Sequence, residues 1–364
     1  MNHSEYIESL PFDSNLKNRI SVTTNCTDCD YIPKKKNAGE TFPNEEIPFQ
    51  LMHNGIKVLL DGYHGKGITE IIKLLKGHHE PQEEKIFHEI LKAIKPNSTV
   101  LELGSHWSYY SLWFNKNIKG AINYLIEPDP SNLAVGKTNF DLNGAKGNFF
   151  NAFISNKSSD ASNFECESDN QIRKIPSVCV DDFIETNKID FLDMLLVDIQ
   201  GYELKMLEGL VKTINANKVR FLFLSTHHHT ISHDPLIHQK CLDFLKTHNA
   251  HILASHDIYE SYSADGLIVA SFLDSDKSLD TIPISRNYSG NYIFRDPSYD
   301  LSEAFKKIDV LSSELSSKNS EIILLTEKLN LLYKSRTWRA IVNVRKIISL
   351  VTLARFFKKK TKGI

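Results

Sequence analysis

Short apolar runs alternate with longer amphipathic stretches through the middle of the chain, between about residues 80 and 272. Seven of these runs have strand length, and several are rich in β-branched or aromatic side chains. They cover residues 99–103, 121–126, 148–154, 193–197, 219–224, 251–254 and 266–272. Residues 202–214 repeat apolar side chains at helical spacing between two of the runs. Strands that alternate with helices predict an α/β fold, with a parallel sheet covered on both faces.

The same pattern divides the chain into four parts. Residues 1–79 are rich in turn formers, as in NCTDCDYIPKKKNAGE, so we expect an irregular cap segment with one hairpin-like stretch at GIKVLLDGYHGKG. Residues 80–300 carry the α/β pattern. Residues 301–335 and 336–364 have helical patterns and differ from the middle part in composition.

Apolar residues in 301–335 recur at alternating spacings of three and four, with one polar break at Lys318. They are Ile308, Leu311, Leu315, Ile322, Leu325, Leu329 and Leu332. Such a heptad seam predicts a coiled coil, and therefore a homo-oligomer or another coiled-coil partner. A helix packed on its own domain would show a similar stripe, so that alternative stays open.

The formal net charge of −2 conceals an asymmetry along the chain. Residues 334–364 hold ten Lys/Arg and no Asp/Glu, which leaves about −12 on the remainder. Trp338, Phe356 and Phe357 beside these cations fit an interfacial helix on anionic lipid in 336–364. A partner-binding or disordered basic tail is the alternative. The acidic body argues against nucleic acid as a partner.

The cysteines and the hydropathy indicate the compartment. Five cysteines lie far apart except Cys26 and Cys29, which argues against a disulfide framework and for the reducing cytoplasm. We expect no secretory signal, and no stretch approaches the roughly 20 apolar residues of a membrane span. The sequence therefore predicts a cytoplasmic protein, with peripheral contact at the inner face of the membrane through its basic tail.

Candidate ligand-binding residues follow the first two strands of the pattern. In LELGSHWSYYSLWF, Glu102 ends a strand, and Gly104 and Ser105 form the turn into a helix, where backbone N–H groups meet polar ligands. Gly104 allows a ligand to approach the backbone. Glu127 ends the next strand 23 residues after Gly104, the position from which an acid binds ribose hydroxyls. An ordinary strand-to-helix turn and a helix-start acid are the alternatives. Together these features favour a nucleoside cofactor.

A second group of candidates follows the fourth and fifth strands. In LLVDIQGYELKMLEG, Asp198 and Glu203 are expected in the same cleft, although Glu203 equally suits a helix first turn. The histidines near the later strands are base or substrate-contact candidates because imidazole titrates near neutral pH: His227, His228, His229, His233 and His256. A divalent cation held by His227, His229, His233 and Asp198 is the competing interpretation, and structural histidines are a third.

Two further motifs leave their chemistry open. Cys26-x-x-Cys29 suggests zinc, but there is no second CxxC, and His78 or His79 could complete a site only by folding over it, so free thiols are favoured. GHHEPQEE begins a helix, and its Glu80, Gln82 and Glu83 either close over the cleft or form a solvated helix start.

The motifs LELGSHWSYYSLWF, IEPDPSN and VDIQGYELKMLEGL, within about residues 95–225, resemble the FkbM family of methyltransferases. The resemblance implies a class I methyltransferase fold, whose Rossmann-like seven-stranded sheet ends in an antiparallel hairpin. It implies S-adenosylmethionine as cofactor and a hydroxyl acceptor, and it leaves divalent metal open. By position, Glu102, Gly104 and Glu127 become cofactor contacts, while Asp198 and Glu203 line the active cleft. His106, Trp107 and Ser108 depart from the glycine-rich first turn of the class.

The C-terminal YKSRTWR stretch is similar to tails that follow coiled coils in surface-polysaccharide enzymes. The main hypothesis is therefore an O-methyltransferase acting on a sugar hydroxyl in a glycan or polysaccharide precursor, with Asp198, His227 or His229 as the catalytic base. A lipid or small-metabolite acceptor is the second hypothesis. A catalytically degenerate scaffold in a polysaccharide complex is the third.

Overall fold

The computed structural model describes residues 2–287, 293–294 and 297–360. It divides into two units, Met1–Phe294 and Arg295–Ile364. Helices of the first unit are α1 (His3–Ser9), α2 (Ser14–Thr24), α3 (Lys66–Leu74), α4 (Pro81–Leu91), α5 (Tyr109–Asn117), α6 (Pro130–Leu142), α7 (Val180–Thr186), α8 (Glu203–Glu208), α9 (Val211–Asn215), α10 (His229–Ser232) and α11 (Ile237–Thr247). A 3-10 helix covers Asp274–Ser278.

The strands of the first unit belong to one large and two small sheets. They are β1 (Thr41–Phe42), β2 (Phe49–Leu51), β3 (Lys57–Leu59), β4 (Thr99–Leu103), β5 (Ile122–Ile126), β6 (Asn148–Phe150), β7 (Phe153–Ile154), β8 (Ser159–Glu165), β9 (Ile172–Val178), β10 (Leu192–Val197), β11 (Val219–Thr226), β12 (His251–His256) and β13 (Gly266–Ser271).

The central sheet has seven strands in the order β12-β13-β11-β10-β4-β5-β6. The strands from β11 to β6 run parallel, with Leu195 of β10 between Leu101 of β4 and Leu222 of β11. Strand β13 is antiparallel to both β11 and β12, so the sheet ends in an antiparallel hairpin. This confirms the predicted seven-stranded α/β fold.

Successive residues of the buried strands point to opposite faces of this sheet, as the period of two requires. In β4, Val100 belongs to one apolar cluster, whereas Leu101 and Leu103 belong to another. The first cluster includes residues of α3, α4 and α5, and the second includes residues of α7, α8 and α11. Helices therefore cover both faces, and the polar residues that end the strands are left to form a site at the sheet edge.

The apolar run 148–154 was predicted to be one strand, but it forms two strands in different sheets. β6 ends at Phe150, and β7 pairs with β9 in a separate three-stranded sheet, β7-β9-β8. Asn151 divides them: its side-chain amide donates to the carbonyls of Glu127 (2.9 Å) and Pro128 (2.7 Å). Those bonds turn the chain away from the central sheet, and no hydrophobic pattern signals them.

The predicted helix 202–214 is likewise interrupted, and α8 and α9 replace it. The carbonyl of Gly209 accepts a hydrogen bond from Asp181 N (2.9 Å) instead of continuing the helix. The Asp181 carboxylate in turn accepts from Lys212 N (3.0 Å), Thr213 N (2.9 Å) and the Thr213 hydroxyl (2.7 Å). The Asp181 carboxylate of α7 therefore caps the start of α9, so α9 is a separate helix from α8.

The prediction that residues 1–79 are irregular was wrong. They contain α1–α3 and the antiparallel sheet β1-β2-β3, and they belong to the same compact unit as the α/β core. Asn2 and Glu5 form a capping box at α1, and Asp13 caps α2, so local signals for both helices were present. The hairpin joins β2 to β3, with Gln50 opposite Val58, rather than lying within 55–67.

The second unit contains α12 (Pro297–Lys334) and α13 (Arg336–Lys360). Ser335 separates the helices, and its hydroxyl accepts from Trp338 N (3.1 Å) at the start of α13. The predicted seam of α12 is open to solvent, with Leu315 63% and Ile322 59% exposed. Phe356, Phe357 and residues 361–364 of the predicted lipid-binding tail lie outside the described side chains. None of the described helices combines the length and apolarity of a bilayer crossing.

Candidate active site

The carboxyl ends of β4, β5 and β10 meet at one edge of the central sheet and open into a cavity of about 1120 Å³, including its mouth. Glu102, Gly104, Ser105, Glu127 and Asp198 all line it. The remaining walls come from residues around β3–α4, β4–α5, β5–α6, β7–β8 and β10–α8, with Tyr63, His64, His79, Glu80, Glu83, His106, Trp107, Tyr110, Asp129, Asn132, Phe153, Phe164, Glu165, Glu167, Gln200, Tyr202 and Ser225 among them. The cofactor candidates predicted from the sequence therefore share one cleft.

The turn after β4 is built by its own hydrogen bonds rather than left open for a ligand. Gly104 N (2.9 Å) and Ser105 N (3.1 Å) both donate to the Ile126 carbonyl. The sequence had predicted that these N–H groups would meet a ligand, but they are already engaged within the protein. Gly104 has a φ of +75°, and a Cβ there would lie 1.6 Å from the Asp198 carbonyl oxygen. Its hydrogen side chain allows the close approach of the chain after β10 to the turn after β4.

Glu127 holds this turn against the end of β5. Its carboxylate accepts from His106 N (3.0 Å) and Asp129 N (2.9 Å). Each carboxylate oxygen keeps a second lone pair for a ligand hydroxyl. Burial raises the pKa of Glu127 to about 8, against the lowering effect of those two bonds. The side chain is thus both a brace for the turn and a desolvated acceptor at the cavity wall.

Glu102 is the second desolvated acceptor. It accepts from Ser111 N (3.2 Å), and burial raises its pKa to about 8. Near it, the Ser105 hydroxyl is buried without a hydrogen-bond partner. Such groups are costly unless a ligand completes their hydrogen bonds. The carboxyls of Glu102 and Glu127 and the hydroxyl of Ser105 can therefore all form further hydrogen bonds with a ligand in the cavity.

Asp198 is the end of a chain of three ionisable groups. His227 Nε2 donates to Asp198 Oδ1 (3.0 Å), and His227 Nδ1 donates to the buried Glu203 Oε1 (2.6 Å). Burial disfavours the imidazolium, but the charge of Asp265 and the bonds to Asp198 and Glu203 outweigh it and hold the pKa of His227 well above its usual range. A protonated ring with both nitrogens engaged cannot accept a proton, which corrects the choice of His227 as base.

Asp198 is the member of this chain that faces the cavity. Its side chain is 46% exposed toward the cavity. Burial of the carboxyl opposes ionisation, but the hydrogen bond and charge of His227 outweigh it, so the pKa of Asp198 lies below its usual range. Glu203 also accepts from Gly201 N (2.8 Å) and does not line the cavity, so it holds His227 rather than a ligand.

Three more carboxyls face this pair. Glu80 and Glu83 line the cavity, as the motif GHHEPQEE suggested, and the Ser225 hydroxyl donates to Glu83 (3.4 Å). Asp265, which sequence reasoning missed, lies 3.8 Å from His227 Nε2. Burial raises the pKa of Asp265 to about 6, although the charge of His227 lowers it. Gln82 instead ties α4 to the carbonyls of Glu260 and Ser285.

The other candidate histidines do not line the cavity, which corrects their predicted place. Strand β11 continues to Thr226, two residues beyond the predicted end, and carries them past the sheet edge. His228 caps α10 and stacks on Phe294 (4.3 Å between ring centroids), and His229 begins that helix. His233 is exposed after α10, and His256 is buried with Nδ1 near the Asp257 carbonyl (3.0 Å). They cannot gather around Asp198 as a metal site.

The family match decides the assignment of this cavity. Residues 95–252 match the sequence model described as Methyltransferase FkbM domain. The protein is a methyltransferase, and its matched segment resembles the FkbM domain. The match covers β4 to the start of β12, and with them Glu102, Gly104, Glu127, Asp198 and His227.

Solved structures similar to this methyltransferase share little sequence with it. TrmK of M. capricolum, solved with S-adenosyl-homocysteine, is 14% identical, with 68% of this chain and 95% of that chain covered and a TM-score of 0.34. A putative rRNA-methylase from Clostridium thermocellum is 11% identical, with 52% and 96% covered and a TM-score of 0.36. A putative SAM-dependent methyltransferase from Streptococcus mutans is 13% identical, with 64% and 55% covered and a TM-score of 0.36. No curated protein matches the sequence.

Aromatic rings of the methyltransferase cavity were largely missed in the sequence. Tyr63, in the segment predicted as irregular, stacks in parallel on Trp107, with 4.3 Å between ring centroids. Phe153 and Phe164 stack at 5.4 Å on the β7–β8 side. These residues come from loops or from strands that lack a clear pattern, so only the spatial arrangement brings them to the cavity. They supply flat apolar surfaces beside the carboxyls.

Proposed function

We propose that this methyltransferase transfers a methyl group from S-adenosylmethionine to a hydroxyl of a sugar, in a glycan or polysaccharide precursor. The observation that carries the proposal is the position of Asp198. It is an ionised, half-exposed carboxylate in the same cavity as the paired acceptors Glu102 and Glu127. A hydroxyl bound at Asp198 has its proton acceptor in place beside the cofactor wall.

The residues of the first wall fit the cofactor by their donor and acceptor chemistry. Glu102 and the Ser105 hydroxyl suit the amino-acid part, whose ammonium is a strong donor. Glu127 suits the two ribose hydroxyls, since a carboxylate accepts from both. The stacked rings of Phe153 in β7 and Phe164 in β8 line the same cavity as Glu127 and offer an apolar surface for the adenine. The bound cofactor supplies an electrophilic sulfonium methyl group.

The opposite wall favours a neutral acceptor with several hydroxyls. Among the residues that the structure describes, no lysine or arginine lines the cavity. The His79 imidazole at this wall is already paired with Glu80 (3.1 Å) and Glu84 (2.7 Å), so an acceptor phosphate or carboxylate would meet the Asp198 carboxylate without a free cation. Hydroxyls of a sugar instead donate to these carboxyls, and the Tyr63–Trp107 pair offers a flat face to the ring.

His227 and Glu203 act on the reaction through Asp198. The imidazolium holds the Asp198 carboxylate at 3.0 Å and keeps it ionised, and Glu203 fixes the ring from the other side at 2.6 Å. The acceptor hydroxyl would give its proton to Asp198 as its oxygen bonds to the methyl carbon. Most of the rate enhancement would come from holding the hydroxyl in line with the transferred group.

The proposal is tested with a panel of acceptors and one pair of variants. The full chain, S-adenosylmethionine and candidate sugar nucleotides or oligosaccharides are incubated, and methylated products are detected by mass spectrometry. We expect an O-methyl sugar, lost in Asp198→Asn and retained in Asp243→Asn, whose carboxyl lies on α11. Methylation of lipids or amines only, or equal turnover in both variants, would refute the sugar proposal or the role of Asp198.

We also propose that α12 mediates self-association and that α13 contacts anionic membrane surfaces. The support for the first is the exposed seam of α12, because apolar side chains in this number are normally covered by a partner helix. The support for the second is the cationic residues of α13 beside Ile341, Val344 and Ile348, which are all more than half exposed. A membrane-proximal, oligomeric enzyme suits an acceptor assembled at the inner face of the membrane.

A further inference from the structure

A second cluster of reactive side chains lies in the N-terminal part of the molecule, where the loop after α2 meets the start of α4. It consists of Cys29, His78 and Glu84, and one ligand atom from each lies within 4.8 Å of the others. All three are buried, with His78 and Glu84 fully inaccessible. We propose that these three residues form a structural zinc site, distinct from the catalytic cavity.

The donor set is selective for zinc among the common cations. A thiolate, an imidazole and a carboxylate are the three ligand types that zinc binds in proteins. Magnesium and calcium prefer oxygen ligands, and a site with one sulfur and one nitrogen excludes them. Sequence spacing hides this set because its members come from two separated segments. Cys26, the other half of the CxxC motif, is outside the group.

The hydrogen bonds of the cluster are incomplete without a ligand. His78 Nδ1 meets Glu84 Oε2, but His78 Nε2 is buried and has no hydrogen-bond partner. A buried polar atom without a partner is unfavourable, and natural structures hold few of them. A cation bound in the cluster would give the buried His78 ring a further partner and would bind the same Glu84 carboxylate that His78 and His79 contact.

The ring of His53 packs against the cluster but is outside the group of three. Its ring stacks on His78 with 4.0 Å between centroids, and its Nδ1 lies 3.8 Å from Glu84 Oε2 and 3.0 Å from the Tyr109 hydroxyl. Cys29 is a free thiol whose Sγ donates to the Pro81 carbonyl (3.2 Å). Zinc binding would release that proton to solvent as the metal–sulfur bond forms.

The proposed site would position one wall of the catalytic cavity. Glu84 also accepts from His79 N (2.8 Å) and His79 Nδ1 (2.7 Å), and His79 and Glu80 line the cavity. A metal that fixes Glu84 therefore fixes the start of α4, from which Glu80 and Glu83 face Asp198. Cys29, His78 and Glu84 are positioning residues, because none of them lines the cavity.

Metal content of the full chain tests this inference independently of activity. After expression in zinc-supplemented medium, elemental analysis should find about one zinc per chain. Cys29→Ser and His78→Ala should lose it, whereas the matched control Cys26→Ser, another buried thiol three residues away, should retain it. Zinc-free wild-type protein, or equal zinc in the two serine variants, would overturn the proposal.

Cobalt substitution covers the case in which the variants do not fold. Wild-type protein is stripped with a chelator and titrated with Co²⁺ alone. Coordination by Cys29 should give a thiolate-to-cobalt charge-transfer band that saturates at one equivalent and is displaced by Zn²⁺. The absence of that band, with the protein still folded by circular dichroism, would also overturn the proposal.

Discussion

At the scale of single residues, the main feature of the cavity is a pair of carboxyls whose pKa values are raised by burial. Glu102 and Glu127 have pKa values of about 8, so both are largely protonated at neutral pH before a ligand binds. An ammonium or hydroxyl donor favours the ionised form. Cofactor binding should therefore release protons, and its affinity should depend on pH.

The first prediction concerns that dependence. Because the carboxylate form is needed, affinity for S-adenosylhomocysteine should be full above about pH 8 and fall on acidification, by up to roughly tenfold per pH unit for one coupled group. Calorimetry at pH 6.5 and 8.5 in buffers of different ionisation enthalpy measures both affinity and proton release. Glu102→Gln should bind more weakly and show a smaller pH dependence. Identical pH dependence in wild type and variant would remove Glu102 from the site.

The second prediction separates a positioning role of His227 from a purely structural one. In His227→Gln, the Asp198 carboxyl loses the cation that lowers its pKa. The acidic limb of the kcat profile should then move to higher pH, and kcat should fall about 10²-fold with a smaller change in KM. The profile is measured with the acceptor found in the panel. A lower kcat with an unmoved acidic limb would mean that His227 only supports the fold.

At the scale of elements, boundaries depend on side-chain bonds that cross the molecule. Asp181 lies in the first turn of α7, but its carboxylate caps α9 through three hydrogen bonds of 2.7–3.0 Å. Asp181→Ala should lower the free energy of unfolding by about 1–2 kcal/mol, as loss of a cap does. Asp182→Ala, which removes a surface bond to Ser158, is the control. Equal urea midpoints for the two variants would contradict the capping argument.

The same dependence explains what the sequence could predict. The buried strands β4, β5, β10, β11 and β13 are continuous apolar runs, so their place in the sheet and the acids that end them were readable from the pattern. Asn151, Asp181 and the Tyr63–Trp107 stack act between segments far apart in sequence, and no periodicity encodes them. For the same reason Glu102, Glu127 and Asp198 were predicted in the cavity, whereas Asp265 was missed and four histidines were misplaced.

At the scale of the whole molecule, an acidic catalytic unit is joined to a basic helical one. If α12 associates through its exposed seam, light scattering should show an oligomer for the full chain and a monomer for a chain ending at residue 300. The shortened chain should also lose flotation with anionic vesicles at low salt, because the cations of α13 are gone. Unchanged mass and unchanged flotation would contradict the roles proposed for α12 and α13.

Cofactor binding in the shared cleft is the central claim, and calorimetry with S-adenosylmethionine tests it most directly. Wild type should bind at one site per chain, and Glu127→Ala should bind at least about tenfold more weakly because it loses charged hydrogen bonds. Glu185→Ala, which removes an exposed acid on α7 outside the cavity, should bind as wild type does. No binding by wild type, or equal affinity for all three proteins, would contradict the account.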